Sequence, residues 1–443
     1  MATDTLATNP PTAAASMTTP QTATPPDLTA AAATQAKCRF CATPLKHTVA
    51  NLGMSPMANA IRKPEELNRM EPFFPLHAYV CHECFLVQLE EFQSGEAIFS
   101  DYAYFSSYVQ AMLDHGRKYA DEMTERFGLG PQSKVVEIAA NDGYLLRWFL
   151  PKGIPVLGVE PAANVAAEAA KLGIPMEVLF FGRETARQLK AKGHAADLMA
   201  ANNVVAHVPD LNDFVAGFAE LLKPTGVATF EFHHVLNLLT RNQFDNIYHE
   251  HFCYHSLLTF SRILAHHGLA VFDVEEIPNH GGSLRVYCQL KASGSQPQSP
   301  RVAAMLDRER AAGLDTLAPY LAMEDRIREA KRGLWRFVLD ATAQGKTIAA
   351  YGAPAKAATL LNYAGVRSDY IQYTVDRNPH KQNHFLPGTQ IPIHAPERIA
   401  ETRPDYLVIL AWNLKDEVMK QMAHIREWGG RFVVLIPEVT IYD

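Results

Sequence analysis

An α/β protein with two doubly wound, Rossmann-like sheets behind a small cysteine-clamped module is predicted by three observations. A short buried-strand pattern, a glycine turn and an apolar helical pattern follow one another from Val135, and again from Thr347. Two CxxC pairs, Cys38/Cys41 and Cys81/Cys84, precede the first of these units. The 443 residues are enough for two or three cores, with the apolar content of a globular protein. The expected division is a tail over 1–36, a metal-binding module over 37–95, a central α/β domain over 96–300 and a second over 301–443.

Composition narrows the function. A formal net charge of −6 argues against a broad nucleic-acid surface, and no apolar run is long enough for a membrane helix. Residues 1–36 are rich in Ala, Thr and Pro and contain no Lys or Arg, unlike a secretory or transit signal, so a disordered tail is expected. Four of the six cysteines stand in CxxC pairs, which fits a metal in a reducing cytoplasm better than disulfides.

Each CxxC turn places two thiolates on one side of a knuckle, and two knuckles make a closed tetrahedral zinc site. Cys38, Cys41, Cys81 and Cys84 are the expected ligands. Four thiolates leave no open position, so the zinc is structural and its binding contributes folding energy to a small module. The insert between the knuckles is expected to loop over residues 54–72. His47, His77 and His82 are expected at the surface, and Cys253 and Cys288 as buried thiols.

The first α/β unit, residues 135–146, reads as strand, tight turn and helix start. Gly143 lets backbone approach a ligand, and the next strand ends in Glu160, a carboxylate able to accept both hydroxyls of a ribose. A dinucleotide would want G-x-G-x-x-G. Here Asn141 and Asp142 make the turn acidic, which suits a ligand with a cationic end and no phosphate, such as S-adenosylmethionine. Residues 178–182 are expected as the third strand, with Phe180 or Phe181 against an adenine edge. Residues 197–209 form the fourth and leave Asn203 and His207 beyond its carboxyl end, where open α/β sheets bind ligands. A helix over 211–222, a fifth strand over 226–233 and a terminal pair, 271–274 with 284–290, complete the domain. An antiparallel pair there would match a methyltransferase rather than a dehydrogenase.

Residues 244–255 hold three histidines, Glu250 and two tyrosines, more polarity than a core element needs. A histidine near its ordinary pKa takes a proton at neutral pH, and Glu250 is placed to orient or polarise a neighbour. His249 and His251 form an H-x-H pair, but no further paired ligand supports a metal. Residues 101–108, dense in hydroxyls, are either an aromatic hinge or place Tyr102 or Tyr104 in the wall of a polar pocket. After a charged packing helix over 324–343, the second unit carries Lys356 and no acid in its turn, which favours an anion such as a diphosphate. Strands are expected over 373–376, 406–411 and 432–436, with a turn-rich loop over 387–392 near that ligand.

In order, the two CxxC pairs, Glu137-Ile-Ala-Ala-Asn-Asp-Gly143, Tyr248-His-Glu-His251, His280-Gly-Gly-Ser-Leu-Arg285, Tyr351-Gly-Ala-Pro-Ala-Lys356 and Pro387-Gly-Thr389 resemble the motifs of the three-domain S-adenosylmethionine-dependent sugar C-3′-methyltransferases of deoxysugar biosynthesis. The resemblance spans residues 37–443. It departs at Ala139-Ala140, where the family often has Gly-Ser, though small residues are retained.

The resemblance implies a class I methyltransferase domain in the centre and methyl transfer to carbon 3 of a nucleotide-diphosphate 4-keto-deoxysugar. It implies His251 as base with Glu250 in support, and Tyr248, Tyr102, Asn203 and His207 on the ketone and sugar hydroxyls. Cofactor contacts are expected from Glu137, Ala139, Asn141, Asp142, Gly143, Tyr144, Glu160, Phe181 and Asn203. Substrate contacts are expected from Tyr104, Ser283, Arg285, Gly352, Lys356, Asp376, Lys381 and Thr389. A cytoplasmic monomer is expected, with no nucleic-acid or membrane partner.

Three rivals are open. An O- or N-methyltransferase would keep the acidic turn and Glu160 but need no enolate. A zinc-ribbon nucleic-acid protein would need Lys/Arg clusters interleaved with aromatics, of which the CxxC region offers few. A nicotinamide oxidoreductase would need a first turn that accommodates phosphate.

Overall fold

The computed structural model describes Met1, residues 36–99 and residues 105–443; Tyr102 and Tyr104 therefore lie outside the described residues. Three sheets are built within the unit Ala36–Asp443. The N-terminal sheet joins His47–Ser55, Phe74–Val80 and Val87–Leu89 in antiparallel order. Its fourth strand, Cys253–Tyr254, comes from the histidine-rich segment and pairs Tyr254 with Val87 and Cys253 with Gln88. The insert between the CxxC pairs is thus a hairpin. Its two strands flank a loop that carries one 3-10 turn, Pro64–Glu66.

The central sheet runs Leu269–Ile277, Ser283–Leu290, Leu222–His233, Ala196–Asn202, Val135–Ile138, Val156–Val159 and Met176–Glu177. The last five are mutually parallel. Ser283–Leu290 is antiparallel to both its neighbours, which is the terminal pairing the methyltransferase alternative required.

Two expectations fail here. The third strand is Met176–Glu177 rather than 178–182: the ladder at this sheet edge ends first, and Val178 and Phe180 are solvent-exposed. The chain after Gly143 forms two 3-10 turns, Leu146–Trp148 and Leu150–Lys152, instead of a helix. Pro151 lacks a donor and its ring crowds the carbonyl four residues back, while Gly153 turns left-handed at φ 67°. The first turn therefore presents side chains and strained backbone to a ligand rather than a helix end.

The C-terminal sheet runs His384–Phe385, Pro392–His394, Thr374–Val375, Ile348–Tyr351, Tyr406–Ile409, Arg431–Val434 and Thr440–Tyr442, with the five inner strands parallel. The helix Met323–Ala343 turns Ile327, Leu334, Val338 and Ala341 inward at helical spacing. They enter one core with Val49, Leu76 and Val87 of the N-terminal hairpin and with Phe244 and Ile247 of the central domain. A second core joins three zinc-module cysteines to the central sheet.

Gly143 sits at φ 75°, and a Cβ there would lie 2.4 Å from Ile174 Cδ1 and 3.2 Å from Ala169 Cβ. Gly143→Ala is expected to lower stability by about 1–3 kcal/mol, read by denaturant titration. An unchanged midpoint would show that the turn can relax.

Candidate active site and metal centre

The four CxxC sulfurs lie within 4.8 Å of one another, with Cys38–Cys84 and Cys41–Cys81 at 3.5 Å and Cys41–Cys84 at 3.7 Å. A zinc tetrahedron with bonds of about 2.3 Å has edges of about 3.8 Å, so the set fits the ion. Each knuckle closes on a left-handed non-glycine residue, Ala42 at φ 59° and Phe85 at φ 61°. Gln88 Nε2 donates to Cys38 Sγ, the kind of outer contact that orients a metal ligand. Cys253 and Cys288 are buried thiols, pushed above the ordinary range by desolvation.

At the carboxyl end of the central sheet four acids converge: Glu137, Asp142, Glu160 and Glu231, none more than 5% exposed. The turn winds through three left-handed residues, Ala139, Asn141 and Gly143. Glu160 accepts from the backbone N–H groups of Asn141 and Ala162, each at 2.9 Å. Asn141 Oδ1 and Asp142 Oδ2 accept from the backbone N–H groups of Ser106 and Ser107, which pins the segment before helix Gln110–Phe127 to the turn.

Burial, with Glu160, Asp142 and Glu231 beside it, pushes Glu137 well above the carboxylate range. Burial also opposes the charge on Glu231. There Arg285, at 2.6 Å, and His115, at 2.8 Å, more than offset it and hold Glu231 below the usual value. Glu137 Oε2, Asp142 Oδ1 and both amide atoms of Asn202 are buried without a partner among the described residues. An acidic cradle with spare acceptors fits the amine, sulfonium and ribose hydroxyls of S-adenosylmethionine, and it would repel a phosphate.

Phe181 is half-buried and packs edge-on against Phe214 and Phe218 at 5.8 and 5.3 Å, beside helix Leu211–Leu221, while Phe180 is exposed. Arg285 is enclosed by Glu231, Glu122 and Glu275 over the Tyr119 ring, so it serves the central sheet and not a substrate. Tyr144 is buried beside the cradle, and Asn203 turns left-handed at φ 58°, donating its backbone N–H to the Glu231 carbonyl at 2.8 Å.

The histidine-rich segment carries a second group of polar side chains. His251 Nδ1 donates to the Asn246 carbonyl at 2.9 Å, which leaves Nε2 as acceptor for the Tyr248 hydroxyl at 2.7 Å. His207 likewise donates Nδ1–H to the Glu250 carbonyl at 2.8 Å, and its ring centroid lies 4.7 Å from that of His251. Burial, reinforced by His207, holds His251 well below the usual imidazole range, so it is neutral. Burial lowers His207 to about 4. Glu250 does not bond the imidazole: its carboxylate accepts from Asn59 Nδ2 at 2.7 Å, and burial pushes it up to about 7. His249 turns away to the Pro75 carbonyl between Phe74 and Phe92, so it forms no chelate with His251.

His233 and His280 also face this centre, lowered by burial to about 3 and about 4. Sequence reasoning missed His233 and gave no role to His280, although it heads one of the quoted motifs. A histidine ending a parallel strand was the available sign for His233, and one before two glycines was the sign for His280, which sits left-handed at φ 57°.

In the C-terminal lobe the turn after Ile348–Tyr351 holds Gly352 at φ 96°. Asp376 accepts from the backbone N–H groups of Ala353 and Asn378 at 2.8 Å, and Lys381 Nζ donates to the Ala353 carbonyl at 2.9 Å. Lys356 is buried. Its ammonium reaches the His280 carbonyl and Asn413 and lies 4.4 Å over the Trp412 ring, with burial lowering it to about 8. Thr389 Oγ1 is buried with no partner among the described residues, while Ser283 Oγ donates to the Asn279 carbonyl. A cleft of about 580 Å³ at the carboxyl ends of these strands is lined by Tyr351, Arg377, Gln382 and Pro396.

Fold and site together define an S-adenosylmethionine-dependent methyltransferase with a structural zinc module. Three family models match in order: a zinc binding domain over 38–99, a methyltransferase domain over 112–274 and a C-methyltransferase C-terminal domain over 278–437. C-methyltransferase NovU of Streptomyces niveus is 35% identical over 405 residues, covering 91% of this chain and 96% of that protein. The chain belongs to this C-methyltransferase family.

The ubiquinone biosynthesis O-methyltransferase of Bartonella quintana is also 35% identical, but over 96 residues, 21% of this chain and 38% of that one. Among solved structures, the PH0226 protein of Pyrococcus horikoshii OT3 covers 45% of this chain and is itself covered completely (100%), at 16% identity and TM-score 0.35. Likeness at that level carries no weight here. No helix among the described residues is long and apolar enough to cross a membrane.

Cys38→Ser is expected to lose zinc and soluble yield together, read by metal analysis; a metal-free, fully folded variant would contradict a structural ion. His255 is buried and His207, His233 and His280 are half-buried; desolvation keeps all four neutral, with His207, His255 and His280 lowered to about 4 and His233 to about 3. The unfolded chain protonates them near pH 6.5 and the folded chain does not, so it is the unfolded state that gains protons on acidification. The imidazoles' share of stability, present above pH 6.5, is then expected to be lost toward pH 4. Glu137 and Glu250, raised by burial, take up protons in the folded chain over the same window and offset part of that loss. The His255→Gln variant is therefore expected to lose less stability between pH 6.5 and 4 than the parent chain, read by denaturant titration at stepped pH; equal losses would exclude a buried neutral imidazole at that position.

Proposed function

We propose that this C-methyltransferase acts on a nucleotide-linked 4-keto-deoxysugar, removing the proton from carbon 3 and methylating the resulting enolate. The observation that carries this reading is the neutral His251, pinned through Nδ1, whose Nε2 accepts the Tyr248 hydroxyl at 2.7 Å, a bond that substrate would displace so that Nε2 takes the proton and the hydroxyl turns to the ketone. A sugar carbon is not nucleophilic until a proton leaves the position next to a ketone, and a buried, unprotonated imidazole is suited to take it. S-adenosylmethionine, when bound, supplies an electrophilic methyl group. Tyr248 and His207 lie on the same wall, where a hydroxyl donor near the ketone would stabilise the developing enolate oxygen.

The substrate class is supported by the second α/β lobe. Asp376 and the Gly352 turn stand at the carboxyl ends of its strands, next in sequence to Tyr351 and Arg377, which line the cleft of about 580 Å³. Lys381 supplies positive charge beside it, while the acidic cradle lies in the central domain. Asn203, Ser283, Lys356 and Thr389 are assigned to the cleft between them, and the reducing cytoplasm is assigned as the compartment that keeps four thiolates available.

The test is mass spectrometry of the protein with S-adenosylmethionine and a panel of 4-keto nucleotide sugars, together with solvent-deuterium exchange at carbon 3. His251→Asn is expected to lower turnover by about 10²–10⁴-fold and abolish exchange, with cofactor affinity nearly unchanged. Full exchange in that variant would remove His251 as the base. Methylation of oxygen or nitrogen without exchange would overturn the carbon chemistry.

A further inference from the structure

Glu250 is a meeting point of three parts of the chain. Its carboxylate accepts Asn59 Nδ2 at 2.7 Å, and the backbone N–H of Asn59 bonds the same group. Asn59 belongs to the loop between His47–Ser55 and Phe74–Val80, in the cysteine module. From the C-terminal lobe, Lys381 favours the ionised form while tethered to the Ala353 carbonyl. From the central domain, His207 bonds the Glu250 carbonyl.

Glu250 is 3% exposed, so a charge there must be solvated by protein groups rather than water. The loop is not free to supply or withdraw its donors at random. Ala60 and Ile61 donate back to the carbonyls of Met57 and Asn59, and Arg62 exchanges two backbone hydrogen bonds with Phe385 of the C-terminal lobe.

We propose that Asn59 is a positioning residue of the active site: the cysteine module supplies the amide donors that hold, as a carboxylate, the side chain of Glu250, whose own carbonyl anchors His207 and whose next residue is His251. The inference rests on His251 acting as the base. An imidazole that takes up a proton becomes a cation in a buried site, and a neighbouring carboxylate stabilises that cation. Burial works against the carboxylate and pushes it up to about 7, while the Asn59 donors and Lys381 pull the other way. Among the described residues no other charged group is drawn onto Glu250; His249, next to it in sequence, points to Pro75.

Infrared titration of the full, zinc-loaded chain tests this without any acceptor, with Glu250→Gln identifying the band of the protonated carboxyl. Asn59→Ala is expected to move the loss of that band upward by about one pH unit, with zinc content unchanged. Asn59→Asp places a like charge against Glu250 and is expected to move it further; it carries the same test if the alanine variant fails to fold. An unmoved band in a folded variant overturns the proposal. A band that moves while no 4-keto nucleotide sugar is methylated upholds Asn59 and rejects the substrate reading instead.

Discussion

The short ladder between Val87–Leu89 and Cys253–Tyr254 fixes the geometry on which the rest of the site depends. It clamps the strand that leaves the histidine-rich segment onto the strand that leaves the second knuckle. Arg39, in the first knuckle, donates to the Pro209 carbonyl two residues beyond His207, and Asn212 Nδ2 donates back to the carbonyls of Arg39 and Phe40. Thr259 bonds the Cys84 carbonyl. Both segments bearing the paired imidazoles are thus tied to the metal module, which shares its fourth strand and its core with the rest of the chain.

The site divides electrically. On the central sheet, four buried acids leave spare acceptors and a raised Glu137, an arrangement that a cation relieves and an anion aggravates. From the C-terminal lobe Lys356 acts on His233 and His280, and His280 in turn feels Glu231 of the acidic cradle, so the neutral imidazoles link the two charges. Arg285 and His115 belong to the acidic side, where they keep Glu231 ionised within the sheet. That internal neutralisation lets so many carboxylates share one sheet end without unfolding it.

Most strand positions of the two α/β sheets and the long packing helix were legible because each rests on local periodicity, whereas the antiparallel terminal pair was open in the sequence because pairing joins distant segments. The cysteine cluster was legible because its spacing is the chemistry. His251 and His207 stood out as polar residues that a core has no use for. What escaped depended on contacts between distant segments. Phe181 looks the same in sequence whether it faces a ligand or Phe218, and Arg285 gives no sign of its three carboxylate neighbours. The helix expected after Gly143 fails at Pro151, a local cue that was readable and was outweighed by the apolar pattern before it. Asn59 lies 191 positions from the carboxylate it holds, a separation no pattern in one sequence spans.

The hydrophobic core shared by the N-terminal hairpin and the C-terminal lobe bears on how such a molecule can be re-engineered. Leu76 and Val87 rest in the same packed interior as Leu334 and Ile393, and Arg62 is laced to Phe385 across that seam. A graft that replaces the C-terminal lobe alone would strip an apolar face from the opposite end of the chain. Exchanging that lobe therefore means moving both ends together and leaving the middle in place.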